Sequence, residues 1–409
     1  MSELKVPFHK AAITDAEKKA VLDVLDSGWL TTGKYALEFE KKFTQAVSKG
    51  DEKRKLPDKR PVISLCVNSN TSGMILAMEA CGVKEGTAVI TTPYTFVSTA
   101  ACARHLNADV YFADVEKDSY SIDPDKIEEI LLRDQKNGNK VRAIVPVHIA
   151  GNVCNMKRIL ELAKKYSTKD HKIRVIEDAA HSFPSPTELG YAGTIGDAGV
   201  FSFYVTKTIT TAEGGMVCTR DPELAKRMTV MRLHGMDRTT WDRYTSPRAS
   251  WEYDIVAPGY KFNLPDVLAA IGCCQVERSE LFYEQRKAVV EKYNQAFKDL
   301  DFIELPPDGE GNAWHLYLMR IVPEKLKITR EEFAKKMQES GLGISVHFIP
   351  IFHFTYWKNL YPDFTAQNYP NAERQYSRTI SIPLFPDMTE EQVELVIETV
   401  KKIGKENHA

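Results

Sequence analysis

The sequence predicts an α/β fold in which a large domain with a mixed, mainly parallel sheet is followed by a smaller α+β domain. Strand-like and helix-like segments alternate along the first part of the chain, as in βαβ units. The predicted strands are apolar without strict alternation, which is typical of a sheet covered on both faces. The pattern changes near residue 300, so we expect domains over 1–300 and 301–409.

Local signals assign the elements of the large domain. The first helix begins after Thr14, which forms a capping-box pattern with Glu17, and ends at Gly28. Apolar runs and helical periodicity predict strands over 88–92, 109–115, 141–147 and 173–178, and helices over 72–82, 124–133, 155–166 and 264–297.

The small domain shows a different pattern. Apolar runs predict strands over 316–322, 343–348 and 379–384. One helix is expected from about Thr329, and the last begins at a capping box formed by Thr389 and Gln392.

The composition is that of an ordinary globular protein. Of 409 residues, 43% are hydrophobic and 27% are charged, which argues against a disordered or fibrous chain. The net charge of −2 gives no general attraction to nucleic acid or anionic membranes. We expect no membrane span and no signal peptide, because no suitable apolar run occurs. Seven scattered cysteines without a CxxC pair indicate reduced, buried thiols and a cytoplasmic protein.

The segment 51–60 is unusually charged, with eight charged residues in ten. The ordinary interpretation is a solvated surface loop, and the alternative is a site for a polyanion.

Three segments carry candidate chemistry. Lys207 lies on a polar turn after the strand-like FSF and before a Gly-Gly pair, although a surface lysine could look the same. Asp178 ends an apolar strand, where α/β sheets bind ligands, but it could also cap the following turn. The polar turn NSNTSG over 68–73 opens a helix and suits a phosphate, as an ordinary helix cap also would.

Together these features match the needs of pyridoxal phosphate (PLP). The cofactor requires a lysine for a Schiff base, an acid beside the pyridinium nitrogen and a cradle for its phosphate. The three features alone are also compatible with chance agreement.

Longer motifs make the case specific. In chain order they are SGWLTTG (27–33), TTPYTFVST (91–99), PVHIAGN (146–152), IEDAAHS (176–182), FSFYVTKTITTAEGG (201–215), LHGM (233–236), APGYKFNLPDVLAAIG (257–272), WHLY (314–317), SVHFIP (345–350) and SIPLFPDMTEEQV (381–393). With them the chain resembles the DegT/DnrJ/StrS-type sugar aminotransferases over nearly its whole length. That family has the PLP-dependent fold type I, which is aspartate aminotransferase-like.

The resemblance implies roles around the cofactor ring. Lys207 would hold PLP covalently and, once freed by the amino donor, move the proton between substrate and cofactor carbons. Asp178 would keep the pyridinium nitrogen protonated. Phe96 aligns with an aromatic residue that stacks on the ring, and His181 with a position near the phenolic oxygen.

The phosphate would be bound by residues of two chains. Thr71, Ser72 and Ser202 would contact it from the same chain. Asn263, together with Lys261, would reach the phosphate of the partner subunit, so that a homodimer with shared active sites is the expected functional unit. Relatives often have Asn and Arg at these two places.

The substrate site is less determined. The resemblance places Trp29, Thr31 and His347 near the sugar, although His347 could equally be a structural histidine. His347 and His353 match no standard metal spacing, so we expect no metal site. The segment 234–244 could reach the nucleotide or be a plain surface loop.

The resemblance implies a PLP/PMP-dependent aminotransferase that acts on a nucleotide-linked keto sugar. The expected substrate is a 4-keto-6-deoxyhexose or 4-keto-pentose, with L-glutamate as amino donor, in an amino-sugar or polysaccharide pathway. One alternative is a sugar dehydratase of the same family, but those members carry histidine where this chain has Lys207. Another is a non-catalytic protein on the same fold, which could have lost the lysine or the acid.

Overall fold

The structure is a computed structural model that describes residues 5–237 and 252–409. In chain order its elements are α1 (Asp15–Ser27), α2 (Lys34–Val47), β1 (Ile63–Val67), α3 (Asn70–Ala80), β2 (Ala88–Thr91), α4 (Ser98–His105), β3 (Asp109–Phe112), α5 (Pro124–Lys136), β4 (Val141–Ile144), α6 (Met156–Tyr166), β5 (Arg174–Asp178), β6 (Pro186–Thr187), β7 (Gly190–Tyr191), β8 (Ala198–Ser202), β9 (Gly215–Thr219), α7 (Pro222–Met231), α8 (Asp266–Glu277), α9 (Ser279–Phe297), β10 (Ile303–Glu304), β11 (Tyr317–Ile321), α10 (Arg330–Glu339), α11 (Thr355–Leu360), α12 (Pro370–Arg378), β12 (Thr379–Ile382) and α13 (Glu390–Glu406).

The central feature is a seven-stranded sheet in the order β1-β9-β8-β5-β4-β2-β3. The pairs β2–β3, β2–β4, β4–β5 and β5–β8 are parallel, and β9 runs antiparallel to both β8 and β1. This confirms the predicted mixed, mainly parallel sheet. Because β5 and β8 are parallel, Asp178 and Ser202 end their strands at the same edge of the sheet.

The predicted helix caps are confirmed. Thr14 and Glu17 form a complete capping box at α1, and Gly28 ends that helix in the left-handed conformation. Capping boxes also begin α10 at Thr329 and α13 at Thr389. The sequence therefore located these helix starts from short-range hydrogen bonding alone.

Several hydrophobic clusters organise the packing of the described residues. Helices and strands of the large sheet bury side chains such as Met74, Val89 and Ile144. A second cluster joins the three-stranded sheet β10-β11-β12 to α10 and α13. Apolar side chains of α9, including Tyr293 and Phe297, belong to this second cluster. The domain boundary near residue 300 stays a prediction.

Part of the small-domain prediction is wrong. The segment 343–348 is not a strand; it forms one isolated bridge, in which Ser345 and Ser381 exchange backbone hydrogen bonds of 3.1 and 2.8 Å. Pairing does not continue beyond this bridge, and His347 and Phe348 line a cavity. The predicted helix over 264–297 is two helices, α8 and α9.

The charged segment 51–60 is more than a solvated loop. Arg54 is 5% exposed, and its guanidinium donates to the carbonyl of Leu189 at 3.1 Å. The carboxylate of Asp51 accepts two hydrogen bonds from the buried Arg220, at 2.7 and 2.9 Å. Part of this charge therefore ties the segment to β9 and its neighbours.

No helix among the described residues is long and apolar enough to cross a membrane. The seven cysteines are all free, and Cys274 alone among them is partly exposed.

Candidate active site

A cavity of about 390 Å³ opens where β5, β8 and the start of α3 meet. Seven of the predicted site residues line it: Thr71, Phe96, Asp178, His181, Ser202, Lys207 and His347. They come from distant parts of the chain, and the parallel strands bring them to one edge of the sheet.

Asp178 forms the floor of the site. Its Oδ2 atom accepts a hydrogen bond of 2.7 Å from the Thr99 hydroxyl, and Oδ1 accepts from the Ala180 amide at 3.2 Å. Burial raises the pKa of Asp178, while these hydrogen bonds and the nearby Lys207 charge oppose the rise. The carboxylate is thus held in a fixed orientation and suits a cationic N–H partner.

Lys207 lies on the turn between β8 and β9. Its backbone amide donates to the Tyr204 carbonyl at 2.9 Å, and Thr211 closes the turn through a bond of 3.0 Å to the Phe203 carbonyl. Burial lowers the pKa of Lys207 to about 8, against the opposing attraction of Asp178. A substantial neutral fraction therefore exists near neutral pH, as an amine nucleophile requires.

The start of α3, where we predict the phosphate cradle, lies at this cavity. Ser69, Thr71 and Ser202 face the cavity. Gly215 permits the close approach of β9, because a Cβ atom there would lie 2.7 Å from the backbone carbon of Ser69. Backbone amides and hydroxyls at a helix start bind phosphate well.

Ser72, which we predicted as a phosphate ligand, is not among the residues that line the cavity. It is 7% exposed, and its hydroxyl donates to the Asn68 side chain at 2.5 Å. Its amide donates to the N-cap oxygen of Ser69 at 3.1 Å. Ser69 is thus the N-cap, and Ser72 lies beside it without lining the cavity. Its contact with a phosphate stays a prediction.

Aromatic side chains form another wall. Phe96 is 58% exposed, with its ring 6.0 Å from that of Phe348. Phe348 in turn stacks on His181 at 5.7 Å. His347 hydrogen-bonds the Ser381 hydroxyl through Nδ1 at 2.8 Å, so its ring is held by β12 as well as facing the cavity.

His181 presents a neutral imidazole. Its Nδ1 accepts a hydrogen bond of 3.1 Å from the Ala150 amide, which leaves the proton of the neutral ring on Nε2. Burial lowers the pKa of His181 well below its ordinary value. The ring can therefore donate one hydrogen bond without carrying charge.

Several polar side chains of this cavity were not among the predicted site residues. His315 lies beside His181, with ring centroids 4.3 Å apart, and Asn70 and Glu213 also line the wall. The WHLY motif contains His315 and was the available signal, but nothing in its spacing indicates a neighbour of His181.

Four predicted residues lie away from this cavity. Asn263 donates to the Thr32 hydroxyl at 2.6 Å, and Lys261 donates to Asn263 at 2.5 Å. Trp29 donates to the Thr32 carbonyl at 3.2 Å. With Thr31 they belong to one surface formed by two loops, and none of them lines the cavity of its own chain.

Two further predictions concern a nucleotide contact and a metal. Residues 238–244 of the segment 234–244 lie outside the described residues. Within the described ranges, no group of three or more His, Cys, Asp or Glu side chains could hold a metal ion.

These residues fit PLP. The fixed, buried carboxylate of Asp178 suits the pyridinium nitrogen, the lowered pKa of Lys207 suits covalent attachment, and the hydroxyls at the start of α3 suit the phosphate. The fold and this site define a PLP-dependent enzyme of the aspartate aminotransferase-like class.

The chain belongs to the DegT/DnrJ/EryC1/StrS aminotransferase family, whose model matches residues 11–401. It is 36% identical to the spore coat polysaccharide biosynthesis protein SpsC of Bacillus subtilis, over 98% of this chain and 97% of that protein. The family uses PLP, and the expected cofactor is thereby confirmed.

Solved structures agree with this assignment. The PMP form of Spr1654 from Streptococcus pneumoniae, assigned as a sugar aminotransferase, superposes with a TM-score of 0.87 at 29% identity, covering 98% of this chain and 100% of that one. PseC of Helicobacter pylori, an aminotransferase of pseudoaminic acid biosynthesis, gives 0.83 at 26% identity, with coverages of 98% and 99%.

Proposed function

We propose that this protein transfers an amino group from L-glutamate to a nucleotide-linked keto sugar. The observation that carries the proposal is a lysine of lowered pKa facing a buried, hydrogen-bonded aspartate in one cavity. The sugar chemistry named for Spr1654 and PseC supports the substrate class. Within that class we propose a 4-keto-6-deoxyhexose or 4-keto-pentose.

Different residues of the cavity would have different roles in the reaction. Bound PLP supplies an aldehyde that captures amines and a ring that accepts electrons. Asp178 would hold a proton on the ring nitrogen, and the His181 Nε2–H would donate to the phenolic oxygen. Lys207 would attach the cofactor and then move a proton between carbon atoms. Thr71 and Ser202 would hold the phosphate, with the amides at the start of α3.

An absorbance titration tests this function. Holoprotein should show a visible band that L-glutamate removes and that one nucleotide keto sugar restores. Lys207→Ala should abolish turnover, because no other amine of the described cavity wall can replace it. A band indifferent to glutamate would reject the donor, and deoxygenation of the sugar without amino transfer would favour the dehydratase alternative. Absence of a band after addition of PLP would favour the non-catalytic alternative.

We also propose that the surface formed by Trp29, Thr31, Lys261 and Asn263 completes the site of a second copy. Its support is the position of these residues, which lie together but outside the cavity of their own chain. Cationic and amide N–H groups both bind phosphate, and Lys261 and Asn263 supply one of each.

Mixing two inactive variants tests the shared site. Lys207→Ala and Asn263→Ala would damage different halves of it, so statistical reassociation of a homodimer should restore about a quarter of the wild-type activity. Mixed Lys207→Ala and Asp178→Ala proteins are the matched control, because both changes damage the same half. Equal activity of the two mixtures would refute the shared site.

A cytoplasmic location remains a proposal, supported by the free cysteines.

A further inference from the structure

His315 and His181 share one scaffold. The amide of Ala150 donates to Nδ1 of His181 at 3.1 Å, and the carbonyl of the same residue accepts from the His315 amide at 2.9 Å. Gly151 permits this contact, since its φ is +105° and a Cβ atom there would lie 2.9 Å from the Trp314 amide. The turn at 149–151 therefore fixes the two imidazoles relative to each other.

His315 has hydrogen-bonding capacity that the described residues leave unused. It is 3% exposed and lines the cavity, and its buried Nδ1 atom has no partner among residues 5–237 and 252–409. Buried polar atoms in folded proteins are nearly always paired. An imidazole in this condition at a cavity wall is therefore a candidate ligand-binding group.

Arg286 is buried next to His315 and hydrogen-bonds its backbone carbonyl. This arginine is 1% exposed, and its Nη1 atom donates to the carbonyls of His315 at 3.2 Å and Leu384 at 2.8 Å. Burial lowers the pKa of the His315 imidazole well below its ordinary value, and the charges of Lys207 and Arg286 lower it further. The ring is therefore neutral at physiological pH and offers one donor and one acceptor.

The imidazoles of His181 and His347, which also line the cavity, are neutral as well. Burial also lowers the pKa of His347, to about 3, so three neutral imidazoles line the cavity. A neutral imidazole binds a carboxylate less strongly than a cation would. It is well matched to a hydroxyl, which donates and accepts in turn. The His315 imidazole is therefore suited to a hydroxyl group of the sugar.

We propose that His315 is a substrate-binding residue that hydrogen-bonds a hydroxyl of the keto sugar, and that Arg286 is its positioning residue. The inference rests on the proposed function and goes beyond it by assigning the two substrates to different groups. His315 serves the sugar half-reaction and contributes little to the glutamate half-reaction.

Single-turnover absorbance measurements follow the glutamate half-reaction and the sugar half-reaction separately. The PLP form is mixed with L-glutamate, and the PMP form with a UDP-linked 4-keto-6-deoxyhexose or the keto sugar found active in the titration. His315→Leu should lower kcat/KM for the sugar by about tenfold or more and leave the glutamate step within about threefold. His315→Asn, which keeps a donor and an acceptor, should restore most of the sugar rate.

Two further variants complete the test. Arg286→Lys keeps a positive charge but loses the planar guanidinium, and should raise KM for the sugar with kcat within about threefold. His353→Leu is the matched control, because His353 is a half-buried histidine that pairs with Glu373 outside the cavity. It should leave both half-reactions unchanged.

The outcomes are distinguishable. Equal losses in both half-reactions for His315→Leu would show a purely structural role, and an unchanged sugar step would show no role; either overturns the inference alone. A wild-type protein that accepts glutamate but no keto sugar would overturn the proposed function, and the inference with it.

Discussion

The ionisation of Lys207 should control how fast the apoprotein captures PLP. Burial lowers its pKa to about 8, and only the neutral amine attacks an aldehyde. About one tenth of such a lysine is neutral at pH 7 and about half at pH 8, against well under 0.1% at pH 7 for an ordinary lysine. The capture rate should therefore rise about fivefold from pH 7 to 8 and less than twofold from pH 8 to 9.

Stopped-flow absorbance at limiting PLP measures this rate between pH 6 and 9. A small model amine measured in parallel corrects for the ionisation of PLP itself. An increase of about tenfold per pH unit through pH 9 would show an ordinary lysine and refute the reasoning.

Asp178→Asn tests the direction in which Asp178 shifts the pKa of Lys207. The Asp178 carboxylate raises the pKa of Lys207, opposing the larger effect of burial. Removing its charge should move the midpoint of the rate profile to lower pH. A midpoint that stays in place or moves up would mean that the two groups do not interact.

Three further predictions concern the support of the site. Thr99→Val removes the hydrogen bond to Asp178 Oδ2 and should lower the free energy of urea unfolding by about 1–2 kcal/mol; a change below about 0.5 kcal/mol would contradict this. Gly215→Ala should weaken PLP binding at least about tenfold in a fluorescence titration, because its Cβ would displace the start of α3. Gly309→Ala, whose Cβ would meet nothing closer than 3.7 Å, should bind PLP normally. Asp266→Ala removes hydrogen bonds from three backbone amides at the start of α2. It should lower the free energy of urea unfolding by about 1–2 kcal/mol, whereas Asp266→Asn should retain most of the wild-type stability.

Local chemistry explains which features the sequence predicted well. The Thr14 capping box depends on residues three apart, so it is visible in the sequence and present in the structure. Asp178 and Lys207 could be proposed because a charged residue directly after an apolar strand is unusual, and because parallel strands end at a common edge.

Long-range packing explains what the sequence could not predict. Asp51 seemed solvated because its partner, Arg220, lies 169 residues away. The segment 343–348 has the composition of a strand, but the cavity determines where its side chains turn. The link from Arg286 to His315 spans 29 residues and depends on a backbone carbonyl, which no residue pattern reports.

The electrostatics of Asp178 and Lys207 together suit the site to its cofactor. Burial disfavours both charges, raising the pKa of the acid and lowering that of the amine, and each charge partly stabilises the other. Once Lys207 is consumed in a covalent bond, Asp178 loses that partner. A protonated nitrogen of a bound cofactor ring would give Asp178 a cationic partner, so binding of the cofactor and retention of its ring proton would stabilise each other. Glu213 is the remaining acidic side chain of the described wall and is exposed to solvent, so it cannot substitute for the buried carboxylate in this role.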